Sequence, residues 1–579
     1  MNKRILLRLL PYVGKQWPYL LVGVCGAVVS VLCFLLLPVL VGRAIDRITG
    51  PGQVDFAALG QLLQYFVLAV FGTVLFQWGM LYAARCLSAK VGEAIRRDAA
   101  DSIGTAPLSA IDSHPHGDLV SRLVTDTETV SDGLLSTLSS LLPGLVTVLA
   151  TMGLMLTLDI RIALLVILVT PVSILPTRFL AKRTQQYFRA QGEVQGRMGA
   201  YINEMVTNRT QVAAMAYEAA ARADFDALNE TFFRSNVKAT FFSSLANPTT
   251  RFVNALIYLA VGVLGAFGVL GGALTVGGLA AFLAYAAQYT RPFNEATALL
   301  TQLQAAETSA RRLFAVIDWP AEPPDSSDTT PPASREGHVE LRHVSFAYDP
   351  DRPVLRDVSL AARPGAHVAL VGPTGSGKTT LINLLMRFYE TDTGTIAVDG
   401  TPVKQIDRRA LRRMFGMVLQ DSWVRKATVA ENIAYGRPEA SRAEIEAAAK
   451  AASAHKFILG LSAGYDTVIT ADSGLSAGQK QLLSIARIFL TRPDMLLLDE
   501  ATSSLDTRTE LLLQGALDRL MAGRTSLVVA HRLATIRRAD RILVLDHGEV
   551  VEAGTHDTLL AQNGLYARLF HSQFGSEDL

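Results

Sequence analysis

The sequence predicts two fold classes in one chain: an all-α membrane half of six transmembrane helices with long cytoplasmic extensions, then an α/β half built around a glycine-rich loop. Three observations predict this. Half of the 579 residues are hydrophobic and only 18% are charged, with a mean hydropathy of +0.28, less charge than a soluble protein of this size carries. The apolar residues are unevenly placed: long runs almost free of charge precede about residue 300, and ordinary α/β patterning follows about residue 338. The third observation is the string Gly372-Pro373-Thr374-Gly375-Ser376-Gly377-Lys378-Thr379, which has the spacing of a phosphate-binding loop. A chain this long exceeds any single core. Its net charge of +2 is too small to argue for a nucleic-acid partner. Cys25, Cys33 and Cys86 fall in or beside apolar segments and read as small core or lipid-facing residues, not as a disulfide or metal set.

The first fifteen residues, with Lys3, Arg4, Arg8 and Lys15, read as an amphipathic helix on the cytoplasmic face and not as a signal peptide. Six segments follow, centred on residues 18–41, 60–82, 135–157, 161–182, 250–272 and 276–298, each long enough for a hydrocarbon core of roughly 30 Å. Lys and Arg crowd residues 85–97 and 178–238, while the connections near 159 and 272 carry little charge. The positive-inside rule therefore puts both termini in the cytoplasm. The polar connections 87–134 and 183–240 are long and helix-compatible, so helices that overrun the membrane and return are expected, with tips reaching an ATP-binding domain. Asp112-Ser113-His114-Pro115-His116 breaks the first and Asn208-Arg209-Thr210 the second. Charged residues inside spans are costly and so informative. Arg291 and Glu295 are spaced to pair one turn apart, near Tyr285, Gln288, Tyr289, Asn294 and Thr297, and Arg251 and Asn254 open the fifth span. These residues read either as a polar cavity lining, favoured for Gln288 and Arg291, or as helix–helix glue or interfacial anchors.

Residues 318–337, rich in Pro, Ser, Thr and Asp, cannot form a core and read as a linker. The predicted division is a membrane domain at 1–317, the linker at 318–337 and a nucleotide-binding domain at 338–579. In the last, His367-Val368-Ala369-Leu370-Val371 reads as a buried strand before the loop, and Thr380 onward as a helix. Gly372, Thr374, Gly375, Ser376 and Gly377 turn backbone N–H groups toward phosphates, aided by the helix N-terminus where Thr380 lies. Lys378 reaches the β- and γ-phosphates, and the Thr379 hydroxyl ligates Mg²⁺. Tyr348, about thirty residues earlier, is placed to stack on adenine. Gln420 ends the strand Met417-Val418-Leu419 and offers an amide to Mg²⁺ or the attacking water. Leu475-Ser476-Ala477-Gly478-Gln479 opens a helix, so Ser476, Gly478 and Gln479 are placed to hold an anion. Met495-Leu496-Leu497-Leu498-Asp499-Glu500 is a buried strand delivering two carboxylates, Asp499 for Mg²⁺ and Glu500 for the hydrolytic water. His531 follows the strand 526–530, where an imidazole contacts the γ-phosphate.

The ordered set resembles the nucleotide-binding domain of ABC transporters over residues 338–570, with Ala501-Thr502-Ser503-Ser504-Leu505-Asp506 matching the family's D-loop. The six-span half, with Gly117-Asp118-Leu119-Val120-Ser121-Arg122, resembles the exporter-type half-transporter. The resemblance implies an ATP hydrolase with Mg²⁺, acting as a multi-pass protein of a bacterial cytoplasmic membrane. It also implies a dimer with a second half-transporter, each ATP lying between one chain's phosphate loop and the other's signature loop, and alternating access for a small amphiphilic substrate among membrane lipid. Three departures stand out. Ala477 replaces the first Gly of the usual L-S-G-G-Q signature, Thr470-Ala471-Asp472-Ser473-Gly474 lacks the expected acidic pattern, and Trp423-Val424-Arg425-Lys426-Ala427-Thr428 places two cations where an aromatic is usual. With Lys378, Asp499, Glu500 and His531 intact, the chain resembles the catalytic-Glu subunit of heterodimeric bacterial multidrug exporters; a tolerated substitution in a homodimer is the alternative. Export of drugs, lipids or peptides is the leading expectation, beside import of a siderophore-like compound on the exporter fold and an ATP-gated channel.

Overall fold

The structure is a computed structural model, which describes residues 3–48, 54–172, 174–322, 325, 335–419, 422–470, 474–499, 507–530 and 533–574. It divides into two compact units, one of Met1–Gly104 with His114–Trp319, the other of Thr105–Ser113 with Pro320–Leu579.

The first unit is all helical. After the amphipathic helix α1 (Lys3–Gly14) come α2 (Trp17–Asp46), α3 (Phe56–Thr105), a short α4 (Leu108–Asp112) that belongs to the other unit, and α5, a 43-residue helical run His116–Leu158. Then follow α6 (Ile160–Val172), α7 (Ile174–Thr207), the short α8 (Arg209–Ala214), α9 (Glu218–Leu270) and α10 (Val276–Ile317). Segments 18–41, 60–82, 135–157 and 276–298 fall within single helices, 161–182 is shared between α6 and α7, and 250–272 outlasts α9 by two residues. Among the described residues α2, α3 and α5 are long and apolar enough to cross a membrane, and Ile160–Val169 and Asn254–Leu270 are shorter apolar stretches. The α10 stretch is diluted by Gln288, Arg291 and Glu295. Along α3 the side chains of Leu63, Leu68, Phe71 and Val74 are all more than half exposed, a surface suited to lipid and not to water. The predicted breaks occur where expected: α4 ends at Asp112, and Asn208 separates α7 from α8.

Helix α10 packs along α2 and α5, and α9 runs along α7. The α2–α10 contact is close because both helices present glycine. A Cβ at Gly42 would overlap the Gly277 carbonyl, and one at Gly277 the Gly42 carbonyl, the small-residue contact that lets membrane helices approach. Asp46 completes the junction by accepting from the Thr275 hydroxyl and the Gly277 N–H, each at 2.8 Å. Tyr285 and Tyr289 are core residues and not cavity lining: they are 0% and 3% exposed, packed with Phe282, Met155 and Val166. The Tyr285 hydroxyl donates to the Leu35 carbonyl at 2.6 Å. Towards the polar ends, buried Asp126 accepts from Ser309 at 2.8 Å and pairs with Arg312, tying α5 to α10. Arg8 of α1 grips Asp318 through two bonds of 2.6 Å. The side chains of Asn294 and Thr297 lie outside the described residues.

The second unit is α/β. A six-stranded sheet runs β12-β11-β3-β10-β9-β6, with β3 (His367–Val371), β6 (Phe415–Val418), β9 (Met495–Asp499), β10 (Thr525–Val529), β11 (Arg541–Asp546) and β12 (Glu549–Gly554). All neighbours are parallel except the antiparallel edge strand β12. A four-stranded antiparallel sheet, β2-β1-β4-β5, comprises β1 (Val339–Asp349), β2 (Arg352–Ala362), β4 (Thr393–Val398) and β5 (Thr401–Pro402), and β7 (Ala427–Thr428) pairs with β8 (Val468–Ile469). Val368 and Leu370 face one core while Ala369 and Val371 face the other, so β3 is apolar throughout because both faces of the parallel sheet are covered.

Candidate functional site

The parallel register brings the site together. β10 pairs Val529 with both Leu370 of β3 and Asp499 of β9, so the loop after β3 and the carboxylate ending β9 emerge at the same edge. Ligands of open α/β sheets sit at such carboxyl ends. The loop turns into α11 (Lys378–Leu385) through Gly375 at φ +83° and Gly377 at φ +100°. A side chain at Gly377 would be strained and would press on Leu355.

Lys378 is 6% exposed. Its ammonium donates to the Gly372 and Pro373 carbonyls at 2.8 Å each, with the Ser376 hydroxyl at 3.4 Å. Burial pushes the Lys378 ammonium below its usual value, and the Asp499 carboxylate works against that. Next in sequence, the Thr379 hydroxyl donates to Asp499 Oδ2 at 3.4 Å. A hydroxyl and a carboxylate converging beside a phosphate-binding loop are hard oxygen donors of the kind that suits Mg²⁺, which keeps most of its shell as water and phosphate oxygen. Residues 120 positions apart thus form one corner of a site, as the motif order predicts.

Tyr348 sits against this corner, about half exposed. Its hydroxyl bridges Thr380 and Asn383 of α11 at 3.3 Å each, and its ring meets Phe346 and Tyr389 edge-on, centroids 4.9 Å apart in both pairs. Asn383 is a contact that no motif singles out. The signature residues lie at the start of α12 (Ala477–Thr491), where Ser476 is the N-cap in a reciprocal capping box with Gln479; Gly478 is buried and Ala477 exposed. Gln420, Glu500 and His531, with residues 501–506, lie outside the described residues.

Two further features escaped the sequence reading. Tyr389 donates to Asp112 at 2.6 Å, and the Glu322 N–H donates to the Thr105 carbonyl at 2.7 Å. Through these the segment Thr105–Ser113, which interrupts the helical half, belongs to the compact α/β unit. Burial, then the Asp112 hydrogen bond and charge, hold the Tyr389 phenol well above its usual value. The second is an ion network at the linker. Asp325 meets Arg408 at 3.0 Å and Arg387 at 3.1 Å, Glu322 meets Arg408 and Arg412, and Glu390 joins Arg387 and Arg408. The linker, read from composition as a spacer, is thus pinned at two carboxylates.

Comparison with known proteins fits this geometry. A family model described as the ABC transporter transmembrane region matches residues 20–293, and one described as ABC transporter matches residues 355–503. A fatty acid ABC transporter ATP-binding/permease protein of Mycobacterium tuberculosis is 43% identical over 521 residues, which is 90% of this chain and 82% of that protein. The chain belongs to the ABC transporter family. An ABC transporter ATP-binding protein of Bacillus subtilis is 37% identical over 99% of this chain and 95% of its own. An ATP-dependent lipid A-core flippase of Syntrophus aciditrophicus is 35% identical over 95% and 90%. A solved bacterial Atm1-family ABC exporter with ATP bound superposes with a TM-score of 0.78 at 27% identity, covering both chains fully. This ABC transporter is therefore an exporter-type half-transporter: a helical membrane domain fused to an ATP-binding domain, coupling ATP hydrolysis to transport.

Proposed function

We propose that the chain exports amphiphilic compounds from the cytoplasmic side of a bacterial inner membrane, as one half of a dimer with both termini cytoplasmic. The domain limits that go with this reading are 1–317, 318–337 and 338–579. The observation that carries it is the grouping of Thr105–Ser113, a segment between two long apolar helices, with the ATP-binding unit through Asp112 and Tyr389. Nucleotide-driven movement of that unit is thereby passed to α3 and α5. Relatives named for fatty acid, lipid A-core and multidrug transport support an amphiphilic cargo.

In this reading the loop amides and Lys378 hold the ATP phosphates, Thr379 and Asp499 hold Mg²⁺ with Gln420, Tyr348 flanks the adenine, and His531 contacts the γ-phosphate. Bound Mg²⁺ neutralises charge developing on the phosphates. Glu500 orients the attacking water, so Glu500→Gln keeps ATP binding but loses nearly all steady-state hydrolysis. Retention of most turnover in a folded Glu500→Gln protein removes Glu500 from the role. Lys378→Ala weakens nucleotide binding itself, because a phosphate loses its cation partner.

A heterodimer is favoured over a homodimer by Ala477. A methyl where the partner's γ-phosphate approaches weakens closure of the ATP site that uses Ser476, Gly478 and Gln479 of this chain, leaving one hydrolytic and one holding site. Expression alone and with a neighbouring half-transporter, followed by a count of trapped nucleotide per complex, separates the two. A stable complex of this chain alone with two equivalent hydrolysing sites establishes the homodimer. ATP-dependent uptake into inside-out vesicles supports export, and efflux supports the importer.

A further inference from the structure

In the membrane unit a cavity of about 690 Å³ lies between α9 and α10, with Arg251, Asn254, Thr290 and Arg291 among its polar lining and Ile257 and Leu259 among its apolar lining. Its position follows from helix geometry. At 1.5 Å per residue Arg251 lies about 28 Å along α9 from Leu270, and Arg291 about 22 Å along α10 from Val276. Both arginines therefore sit remote from the turn at 271–275: Arg291, at about 22 Å, lies inside a hydrocarbon core of roughly 30 Å, and Arg251, at about 28 Å, lies near its far boundary. The apolar stretch Asn254–Leu270 runs from that charged end toward the turn.

The charge there is not self-cancelling. Arg291 pairs with Glu295 at 3.1 Å, and Arg251 adds a second guanidinium, so the three groups sum to one positive charge. One lining amide retains hydrogen-bonding capacity: the Asn254 Oδ1 atom is buried without a partner among the described residues. A buried polar oxygen left unmatched costs about 1–3 kcal/mol, which a hydroxyl-bearing or amide-bearing head would relieve. Guanidinium forks match the planar or tetrahedral oxyanions of carboxylates and phosphates, and remain charged throughout the biological pH range. Ionisable groups at membrane depth mark substrate paths by default.

We propose that this cavity is the head-group site for a long-chain anionic amphiphile, with Arg251 and Arg291 holding its carboxylate or phosphate and Ile257 and Leu259 flanking the start of its tail. The inference rests on the transport reading above and names its cargo class. It also assigns Glu295 a role: as a competing anion it sets the strength of the site, so that substrate is held but released.

The test measures binding of palmitate, lysophosphatidate and neutral hexadecanol to the full chain in a non-ionic detergent, by displacement of a fluorescent fatty acid. Palmitate, lysophosphatidate or both should bind at least on the order of tenfold tighter than hexadecanol, the worth of one charge-assisted hydrogen bond. Preference for palmitate identifies a carboxylate head, preference for lysophosphatidate a phosphate head. Arg251→Gln and Arg291→Gln should each reduce the anion-over-alcohol preference on the order of tenfold, while Arg251→Lys and Arg291→Lys, which keep the charge but lose the fork, should reduce it less. Glu295→Gln should increase it. Equal binding of all three probes, or a preference that survives the double Arg→Gln protein with an unchanged melting temperature, overturns the site. A preference that collapses equally in the Arg→Lys proteins also overturns it, because it assigns the arginines to packing. The transport reading fails separately, if anionic binding is as described yet no amphiphile moves across proteoliposomes on adding ATP.

Discussion

Replacing Asp325 by Asn should loosen the linker from the ATP-binding unit by about 2 kcal/mol, a figure built from three hydrogen bonds. Asp325 Oδ2 accepts from the Arg408 backbone N–H at 3.0 Å, and Oδ1 accepts from Arg408 at 3.0 Å and Arg387 at 3.1 Å. Both arginine side chains are under 10% exposed and the carboxylate 22%. Asn keeps the shape and one acceptor but loses the charge, and a charge-assisted bond is worth about 1 kcal/mol more than a neutral one. Two guanidinium bonds are weakened, giving about 2 kcal/mol. The cost stops short of the roughly 3–5 kcal/mol for stranding a buried charge, because Glu390 still meets both arginines and Glu322 still meets Arg408. The Arg408 amide reports on opening directly, since Asp325 is its acceptor. Hydrogen exchange of the peptide containing Arg408, in the intact detergent-solubilised chain, should lose about 30-fold in protection, the equivalent of 2 kcal/mol. Burial alone raises the Asp325 carboxyl, but the Arg408 bonds and charge, with Arg387, outweigh it and hold it below the ordinary range. A depressed carboxyl stabilises above its unfolded value of about 3.9 and loses that stabilisation as pH falls through the folded value. The difference between wild type and Asp325→Asn should therefore be constant from neutral pH down to about 4 and shrink below it. A loss of protection under threefold at neutral pH refutes the network as the anchor.

Gly377→Ala places a side chain at φ +100° against Leu355 and the Val354 carbonyl; a strain of about 2–3 kcal/mol should cut ATP affinity by two orders of magnitude in equilibrium dialysis, and Leu355→Ala should not restore it because the backbone strain remains. Asp499→Asn should raise the Mg²⁺ concentration for half-maximal ATPase on the order of tenfold, by weakening one charge-assisted ligand beside Thr379; an unchanged Mg²⁺ titration argues against the pair. Asp112→Asn weakens the 2.6 Å bond from Tyr389, and should reduce stimulation of ATPase by transported amphiphile more than it changes nucleotide affinity; equal change in both contradicts a coupling role.

The parts of the molecule legible in sequence are those whose information is local or strictly ordered. The strand, loop and helix around Lys378 are contiguous, and the meeting of Thr379 with Asp499 follows from a parallel sheet, where every strand's carboxyl end lies at one edge. The Arg291–Glu295 pair is legible because helical spacing fixes it. Polarity alone does not decide between cavity lining and helix–helix glue for Tyr285 and Tyr289: with Phe282 they form an i, i+3, i+7 stripe that faces the core, whereas Arg291 lies on another face of the helix. The linker network was not legible, because its arginines are 62 to 90 residues from the linker carboxylates Glu322 and Asp325 and surface composition looks the same whether charges are solvated or paired. The same holds for Asp126 with Ser309 and Arg312, and for Asp46 capping α10.

Ser476 illustrates how one side chain serves both a helix rule and a proposed functional one. Its hydroxyl oxygen accepts from the Gln479 N–H at 3.2 Å, and Gln479 Oε1 accepts from the Ser476 N–H at 3.0 Å. That uses only acceptor capacity of the hydroxyl, so its own hydrogen remains able to donate to an oxyanion. The box also takes the N–H groups of the cap and the third helical residue, and the first two amides of α12, those of Ala477 and Gly478, have no acceptor within the helix. The substituted residue therefore supplies one of the two amides left free of the helix's own bonds, and Ala477 is the exposed residue of the pair while Gly478 is buried. In the proposed reading its methyl bears on how closely a phosphate can approach and not on whether the helix forms, since Ala is the better helix residue. Any asymmetry between two ATP sites that originates here is an asymmetry of closure distance, imposed on a helix start that is otherwise fully built.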